Sequence, residues 1–268
     1  MEIFITGYGM ISCIGSTVDE SLANLRAEKS GIELGAFEAL PQYRVGVVPF
    51  SNDEIKTKFN ISTDGSRTAL LGMVAAKQAF AGHELNPSIR TGLISGTSVG
   101  GMDVSEREYK NYLEQTNHNP TNYKHHASGT SSEEIAKELG VTEFVNTIST
   151  ACSSAANSLM MGARMIKNGL LDRVIVGGTD GLSSFTISGF KSNSRITAND
   201  CEAKASFNSI KSISFNCNPA CFNAFGMAFT GPIPIILGST PAEAKLTNLA
   251  IGVRLSSLTI SSLIINTN

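Results

Sequence analysis

The sequence predicts an α/β fold, and the strongest signal is a strand–helix–strand pattern around one cysteine. The β-branched and aromatic run 144–148 precedes a stretch with helical character, 153–167, which precedes the apolar run 173–177. Parallel strands need a crossover connection, and a helix is the usual one. Apolar runs that end in glycine turns, with 25 glycines in 268 residues, fit the same fold class. We therefore expect a mixed, mostly parallel sheet with helices on its faces.

Caps and apolar spacing predict the elements before residue 90. The apolar run 2–6 is predicted as a strand that enters the glycine turn 7–9. Hydroxyl caps and first-turn carboxylates in 16–20 predict the start of a helix that continues over 21–29. A second helix is predicted over 65–81, where the apolar spacing suits a buried helix.

The middle of the chain predicts a short strand, a glycine loop and two further helices. The strand near 91–95 enters the Gly/Ser/Thr loop 96–101, and a charged helix follows over 105–114. The loop lacks the lysine of a P-loop and a complete G-x-G-x-x-G, which favours a tight turn at a packed interface over a nucleotide site. Serines and carboxylates at 131–134 predict a capped helix to Leu139, and the preceding pair His125-His126 is interpreted as solvated loop without a metal role.

Composition excludes several functional classes. A net charge of −2 gives no reason to expect a nucleic-acid partner. Five cysteines without framework spacing indicate a reducing compartment, which we take to be the cytoplasm. The first residues lack the basic segment of a targeting sequence, and the apolar run 255–265 is shorter than the roughly twenty residues of a membrane span. Cys217 and Cys221 have no further ligands nearby, so neither a metal nor a cofactor is predicted.

Cys152 is the candidate functional residue. It lies where the predicted strand gives way to the predicted helix. Free N–H groups of a first helical turn and the helix dipole favour a thiolate over a thiol. One interpretation is therefore a covalent nucleophile that carries an acyl group. The other is a small buried cysteine that fills a strand–helix contact.

A family resemblance rests on several segments that occur in order. These are 5–9 (ITGYG), 95–101 (SGTSVGG), 150–155 (TACSSA), the positions Gly162, Ala163, Ile166 and Gly169, then 176–180 (VGGTD) and 189–190 (GF). Together they resemble the β-ketoacyl synthase family, of the type that elongates fatty acids on acyl carrier protein. The resemblance covers residues 1 to about 190, and the segment around Cys152 is its specific part.

The resemblance implies a thiolase-like layered fold, with residues 1–190 as its N-terminal half and Cys152 at the amino end of a buried helix. It also implies a 3-oxoacyl-acyl carrier protein synthase type of acyltransferase that holds the acyl chain as a thioester on Cys152. A malonyl unit on carrier protein would then lose CO₂ and attack that thioester in a Claisen condensation. The implied partners are acyl carrier protein and acyl or malonyl thioesters, within a homodimer or a heterodimer with a related subunit.

The sequence departs from the family after Cys152. The family uses two histidines and a lysine of its second half, whereas the histidines here are at positions 83, 118, 125 and 126. Residues 191–268 are expected to be an atypical, low-charge tail in place of that half. Beyond residue 204 the charged residues are Lys211, Glu243, Lys245 and Arg254. A frameshifted or fragmentary end and a divergent tail that packs onto residues 1–190 both account for this composition.

Three functional hypotheses follow. The first is a condensing enzyme of fatty acid or polyketide biosynthesis. The second is a truncated or defective relative, or a non-catalytic partner subunit. The third is an acyl-transfer relative that only loads and unloads Cys152. The missing histidines predict acylation of Cys152 with condensation well below the level of the family, and the missing half predicts an exposed apolar patch and self-association.

Overall fold

The computed structural model describes residues 3–192 and the strand 235–238. Its strands are β1 (Phe4–Tyr8), β2 (Ile32–Leu34), β3 (Arg44–Gly46), β4 (Thr91–Gly96), β5 (Phe144–Ile148), β6 (Arg173–Gly178) and β7 (Ile235–Gly238). Its α-helices are α1 (Val18–Arg26), α2 (Asn52–Lys58), α3 (Arg67–Phe80), α4 (Met102–Leu113), α5 (Ser128–Leu139), α6 (Ser154–Lys167) and α7 (Ser184–Ser192). A 3₁₀ helix, Pro120–His126, joins α4 to α5.

The main sheet has five strands in the order β1-β7-β6-β4-β5. Strand β4 is parallel to both β5 and β6, whereas β7 is antiparallel to both β6 and β1. The predicted mixed, mostly parallel sheet is confirmed. Strands β5 and β6 flank β4, so the β5–α6–β6 unit crosses over it, as expected for a βαβ connection.

Helices cover both faces of this sheet. Successive residues of a strand point to opposite sides, so each central strand packs against helices on both faces. On one face, Leu93 of β4 and Ile175 of β6 join a buried cluster with α3 and α5. On the other face, Ile94 and Val174 pack with Ile166 of α6. Apolar side chains of β4 and β6 are therefore buried on both faces of the sheet, which is typical of parallel sheets.

The predicted first helix has the expected start. Thr17 is the N-cap of α1, and its side chain accepts a hydrogen bond from the N–H of Glu20. The Glu20 carboxylate in turn accepts from the N–H and the hydroxyl of Ser16, each at 2.8 Å. The bond to Thr17 satisfies one of the donors that a helix leaves unpaired at its amino end, and the bonds from Ser16 fix the chain that enters the helix.

Two predictions near residue 130 are wrong. Helix α5 begins at Ser128 with Ala127 as N-cap, and Ser131 and Ser132 lie buried inside it. The hydroxyl of Ser132 contacts Thr147 Oγ1 of strand β5 at 2.6 Å, so packing against the sheet decides its position. The histidine pair lies in the 3₁₀ helix and not in a loop; His125 is largely buried, whereas His126 is exposed, as predicted.

Helix α6 is less buried than the family resemblance implies. Ser154, Ser158, Gly162 and Ile166 are its buried residues, and they form the single stripe that faces the sheet. The opposite side is half-buried or exposed, with Met160 45% exposed. The prediction of a buried helix therefore holds for one face, because the described residues place a sheet on one side only.

Strand β7 lies in the part that the sequence analysis assigns to the tail. It occupies a central place in the sheet, between β1 and β6. Of the two accounts of the tail, this pairing fits the one in which the tail packs onto residues 1–190. The domain boundary near residue 190 stays a prediction, and Cys201, Cys217 and Cys221 lie outside the described residues.

Candidate active site

Cys152 lies at the junction that the sequence predicts. Strand β5 ends at Ile148, Ser153 is the N-cap of α6, and the helix begins at Ser154. Cys152 is exposed, so the alternative of a small buried cysteine is wrong. The side chain is thus available to a ligand at the positive end of a helix dipole.

The turn that carries Cys152 has a left-handed residue before it. Ala151 has φ of 53°, a conformation that costs a non-glycine residue roughly 1–2 kcal/mol. The N–H of Ser153 donates to Thr150 O at 3.3 Å, and the N–H of Ser154 donates to Ala151 O at 3.0 Å. Such strain persists only where surrounding contacts fix the turn.

Ser154 fixes the turn from the buried side. Its hydroxyl accepts from the N–H of Thr150 at 2.9 Å and donates to Ala151 O at 2.7 Å. Ser154 is 4% exposed. One serine therefore closes the loop on both sides of Ala151 while it starts the helix.

A second group of side chains fixes the turn from the outer side. The Ser153 hydroxyl lies 2.8 Å from Thr150 O and 3.0 Å from Thr150 Oγ1. The side-chain amide of Asn157 donates to Thr150 Oγ1 at 2.8 Å and approaches Ser153 Oγ at 3.3 Å. Asn157 lies one helical turn after Ser153, which brings its amide back over the turn.

Two glycines let the sheet approach the first turn of α6. A Cβ atom at Gly96, the last residue of β4, would lie 2.5 Å from the carbonyl carbon of Ser154. A Cβ atom at Gly178, the last residue of β6, would lie 2.6 Å from Ala155 Cβ. Both distances are too short for real side chains, so glycine is required for this helix to sit on the strand ends.

A half-buried carboxylate supports the loop beneath the site. Asp180 accepts hydrogen bonds from Thr97 Oγ1 at 2.6 Å, from the N–H of Ser98 at 2.8 Å and from the N–H of Val99 at 3.2 Å. Burial raises the pKa of Asp180, and these hydrogen bonds oppose that rise. The loop that the sequence analysis interprets as a tight turn is therefore an anchored one.

The four histidines interact elsewhere. His83 Nε2 lies 3.2 Å from Thr6 O, and His126 Nδ1 lies 2.8 Å from Ser105 Oγ. His125 Nδ1 lies 2.5 Å from Glu134 Oε1. The ring of His118 packs against two tyrosines, Tyr112 and Tyr123. These contacts give each histidine a local partner in the fold.

Cys13 has a different environment from Cys152. Its sulfur lies against Gly31 and Gly46, where an added Cβ would come within 2.7 Å and 2.6 Å of Sγ. Burial raises the pKa of the Cys13 thiol. Because its thiol is less exposed and its pKa is raised, Cys13 is expected to react more slowly than the exposed Cys152.

No metal-binding group of three or more His, Cys, Asp or Glu side chains occurs among the described residues. Within that same part of the chain, none of the helices combines the length and apolar character that crossing a membrane requires.

Sequence reasoning missed the roles of Asn157 and Asp180. In the sequence, Asp180 is the last residue of the VGGTD segment. Its contact with the loop after β4 depends on the pairing of β4 with β6, which the sequence does not specify. The position of Asn157 can be predicted from local spacing. It lies four positions after Ser153 on the predicted helix, so its side chain is expected next to Ser153.

Comparison with known proteins identifies relatives. The family described as Beta-ketoacyl synthase, N-terminal domain, matches residues 1–209. The 3-oxoacyl-(acyl-carrier-protein) synthase 2 of Vibrio cholerae is 27% identical over an alignment of 230 residues that covers 76% of this chain and 52% of that protein. The enzyme of the same name from Staphylococcus aureus is 25% identical over an alignment of 222 residues that covers 75% of this chain and 51% of that protein. The chain spans about half the length of these curated relatives.

Solved structures show the same similarity. The ishigamide ketosynthase/chain length factor has a TM-score of 0.64 and 26% identity, and the match covers 73% of this chain and 51% of that one. A ketosynthase from Xenorhabdus doucetiae, in complex with its chain length factor, has a TM-score of 0.62 and 25% identity over 89% of this chain and 58% of that one. The thiolase-like α/β fold is thereby confirmed.

Proposed function

This chain belongs to the β-ketoacyl synthase family, and from that membership we propose that it takes up acyl groups as thioesters on Cys152 for a condensing reaction of fatty acid or polyketide biosynthesis. The observation that carries the proposal is the exposed Cys152 on a fixed, left-handed turn at the amino end of α6. The geometry suits a nucleophile, because the sulfur is accessible while its backbone is held.

The loading step is a thioester exchange. The Cys152 thiolate attacks the carbonyl carbon of an acyl thioester and forms a new C–S bond. The C–S bond to the donor then breaks, and the donor sulfur leaves as a thiolate that takes up a proton. The helix dipole of α6 favours negative charge beside its amino end during this exchange.

The condensation step would use the loaded Cys152. A malonyl thioester loses CO₂, and the resulting carbanion attacks the carbonyl carbon of the Cys152 thioester. A C–C bond forms and the Cys152 thiolate is released. Among the described residues, Cys152 is the one proposed to hold the acyl group. Groups that stabilise the carbanion each contribute a factor of about 10²–10⁴ to the rate, so their loss would slow condensation strongly.

The proposal extends to partners and location. Acyl carrier protein is the proposed donor of acyl and malonyl thioesters, since the named relatives are carrier-protein synthases. The proposed assembly is a homodimer or a heterodimer with a related subunit. The similar structures that include a chain length factor support the second arrangement. The proposed location is the cytoplasm, in keeping with five cysteines that lack the spacing of a disulfide framework.

A second candidate is a non-catalytic or defective relative. The contacts of the four histidines favour it, since each histidine serves the local fold rather than the cysteine turn. The exposed Cys152 argues against it, because partner subunits of the chain length factor type usually lack the cysteine. The two candidates differ in whether Cys152 becomes acylated.

The test is acylation followed by mass spectrometry. The chain is incubated with a long-chain acyl thioester, and peptides that contain Cys152 and Cys13 are compared over time. We expect the acyl group on Cys152, with loss of labelling in Cys152→Ala and retention in Cys13→Ser. A parallel malonyl-dependent elongation assay separates loading from condensation. Equal labelling of both cysteines would overturn the nucleophile assignment, and elongation at an ordinary enzyme rate would show that the absent histidines do not matter.

A further inference from the structure

The side chain of Asn157 bridges the ends of the Cys152 turn. Its amide nitrogen lies 2.8 Å from Thr150 Oγ1, on the strand side, and 3.3 Å from Ser153 Oγ, at the helix side. Its backbone N–H donates to Ser153 O at 2.9 Å, as expected inside a helix. The residue therefore connects the first full turn of α6 with the residue before Ala151.

This bridge opposes the strain at Ala151. A left-handed alanine returns to an ordinary conformation unless its neighbours are held. On the buried side, Ser154 holds the N–H of Thr150 and the carbonyl of Ala151. On the outer side, the Thr150 hydroxyl is held by Ser153 and Asn157. Thr150 and Cys152 are both exposed whereas Ser154 is buried, so the contacts of the Thr150 side chain belong to the accessible part of the turn.

We propose that Thr150 and Asn157 are positioning residues, whose hydrogen bond keeps the Cys152 sulfur at the amino end of α6. Relaxation of Ala151 would turn Cys152 away from the helix end and reduce the fraction of molecules whose sulfur is placed to react. A neutral hydrogen bond is worth about 0.5–1.5 kcal/mol, which corresponds to a roughly two- to tenfold change in that fraction. This inference rests on the proposed role of Cys152 and adds the residues that orient it.

The contact can be removed from either partner, and on the Thr150 side with little change in volume. Thr150→Val keeps the shape of the side chain and removes the hydroxyl, whereas Thr150→Ser keeps the hydroxyl. Asn157→Ala removes the amide. The matched control is Asn168→Ala, because Asn168 is the C-cap of the same helix and lies at its far end. Both alanine variants remove an asparagine amide, so a difference between them reports on the turn.

The experiment measures the rate of alkylation of Cys152 by iodoacetamide in the full chain, read by peptide mass spectrometry. Cys13 in the same sample is the internal reference. We expect Thr150→Val and Asn157→Ala each to slow alkylation of Cys152 roughly two- to tenfold. Thr150→Ser should retain most of the rate, and Asn168→Ala should leave it unchanged. The double variant Thr150→Val/Asn157→Ala should be slowed by clearly less than the two single effects combined, because both changes remove the hydrogen bond between Thr150 and Asn157 and each removes one further contact, with Ser153.

Each outcome decides a different claim. If Cys152 of the unaltered chain reacts no faster than Cys13, the proposed function fails. If Cys152 is reactive and both single variants keep its rate, the positioning role alone is overturned. Additive effects in the double variant, or a Thr150→Ser variant as slow as Thr150→Val, would also overturn it. Thermal unfolding of every variant identifies general destabilisation, and Asn157→Ala provides the test if Thr150→Val does not fold.

Discussion

The Asp180 carboxylate and the Thr97 hydroxyl form a 2.6 Å hydrogen bond that joins the residues after strand β6 to the loop after strand β4. The same carboxylate oxygen accepts from two backbone N–H groups of that loop. The loop lies under the first turn of α6, since Thr97 O is 3.5 Å from Ser154 Oγ. A half-buried carboxylate thus holds the loop that supports the cysteine turn.

Replacement of Asp180 tests this support. Asp180→Ala leaves three donors of the loop without their acceptor, and we expect it to lower the free energy of unfolding by about 2–4 kcal/mol. The matched control is Asp64→Ala, which removes an exposed ion pair with Lys56 and should cost less than about 1 kcal/mol. Urea unfolding of the two variants measures the difference. Equal small losses would show that the loop does not depend on Asp180.

Gly162 tests the packing of α6 on the sheet. An added Cβ would lie 2.4 Å from Val176 Cγ1 and 2.9 Å from Val174 Cγ1, and both valines are fully buried. We expect Gly162→Ala to destabilise the fold by about 1–3 kcal/mol, even though alanine favours a helix. Gly129→Ala in helix α5 is the control, since no atom lies within 4 Å of its added Cβ. That variant should keep or increase stability, and a similar loss in both would contradict the packing argument.

The lowered pKa of Glu138 predicts that this residue contributes to stability in a pH-dependent way. Burial raises its pKa, but hydrogen bonds from Lys77, Thr63 and Ser62 outweigh burial and lower the pKa from 4.5 to about 2. Because the folded value lies below the unfolded one, ionised Glu138 stabilises the fold above about pH 4.5. This contribution is lost as the pH falls from about 4.5 to about 2.

The variant Glu138→Gln removes this contribution. We expect it to lower the free energy of unfolding near neutral pH by about 1–3 kcal/mol and to reduce the loss of stability between pH 5 and pH 2. Glu133→Gln is the control, because Glu133 lies exposed on the same helix. Chemical unfolding at several pH values measures both variants. An unchanged acid dependence in Glu138→Gln would contradict the assignment.

The outer face of α6 predicts self-association of the isolated chain. Met160 is 45% exposed there, and Leu159, Met161 and Met165 are only partly buried. Exposed apolar patches of this kind promote contacts between molecules. We expect Met160→Lys to lower the apparent molecular mass in light scattering without loss of thermal stability. Phe185→Lys, at a residue 61% exposed on α7, tests whether any exposed apolar side chain has the same effect. A monodisperse monomer in the unaltered chain would refute the prediction.

Much of the fold follows from local sequence, because caps and apolar periods act within a few residues. The strands predicted near 91–95 and 173–177 are observed at Thr91–Gly96 and Arg173–Gly178. The helix after Cys152 was expected from residue 153 and begins at Ser154. The start of α5 was wrong because Ser131 and Ser132, good capping residues, are buried by tertiary contacts instead.

By itself, the sequence determined the α/β class, the strand–cysteine–helix junction and the likeness to β-ketoacyl synthases, since these depend on periodicity and on contiguous motifs. Only the tertiary structure decided that Cys152 is exposed, that Asn157 and Thr150 meet over its turn, and that Asp180 reaches the loop after β4. The same holds for strand β7, whose place between β1 and β6 joins distant parts of the chain. Contacts of this kind depend on which strands pair, and strand pairing is a property of the whole sheet that no short segment specifies.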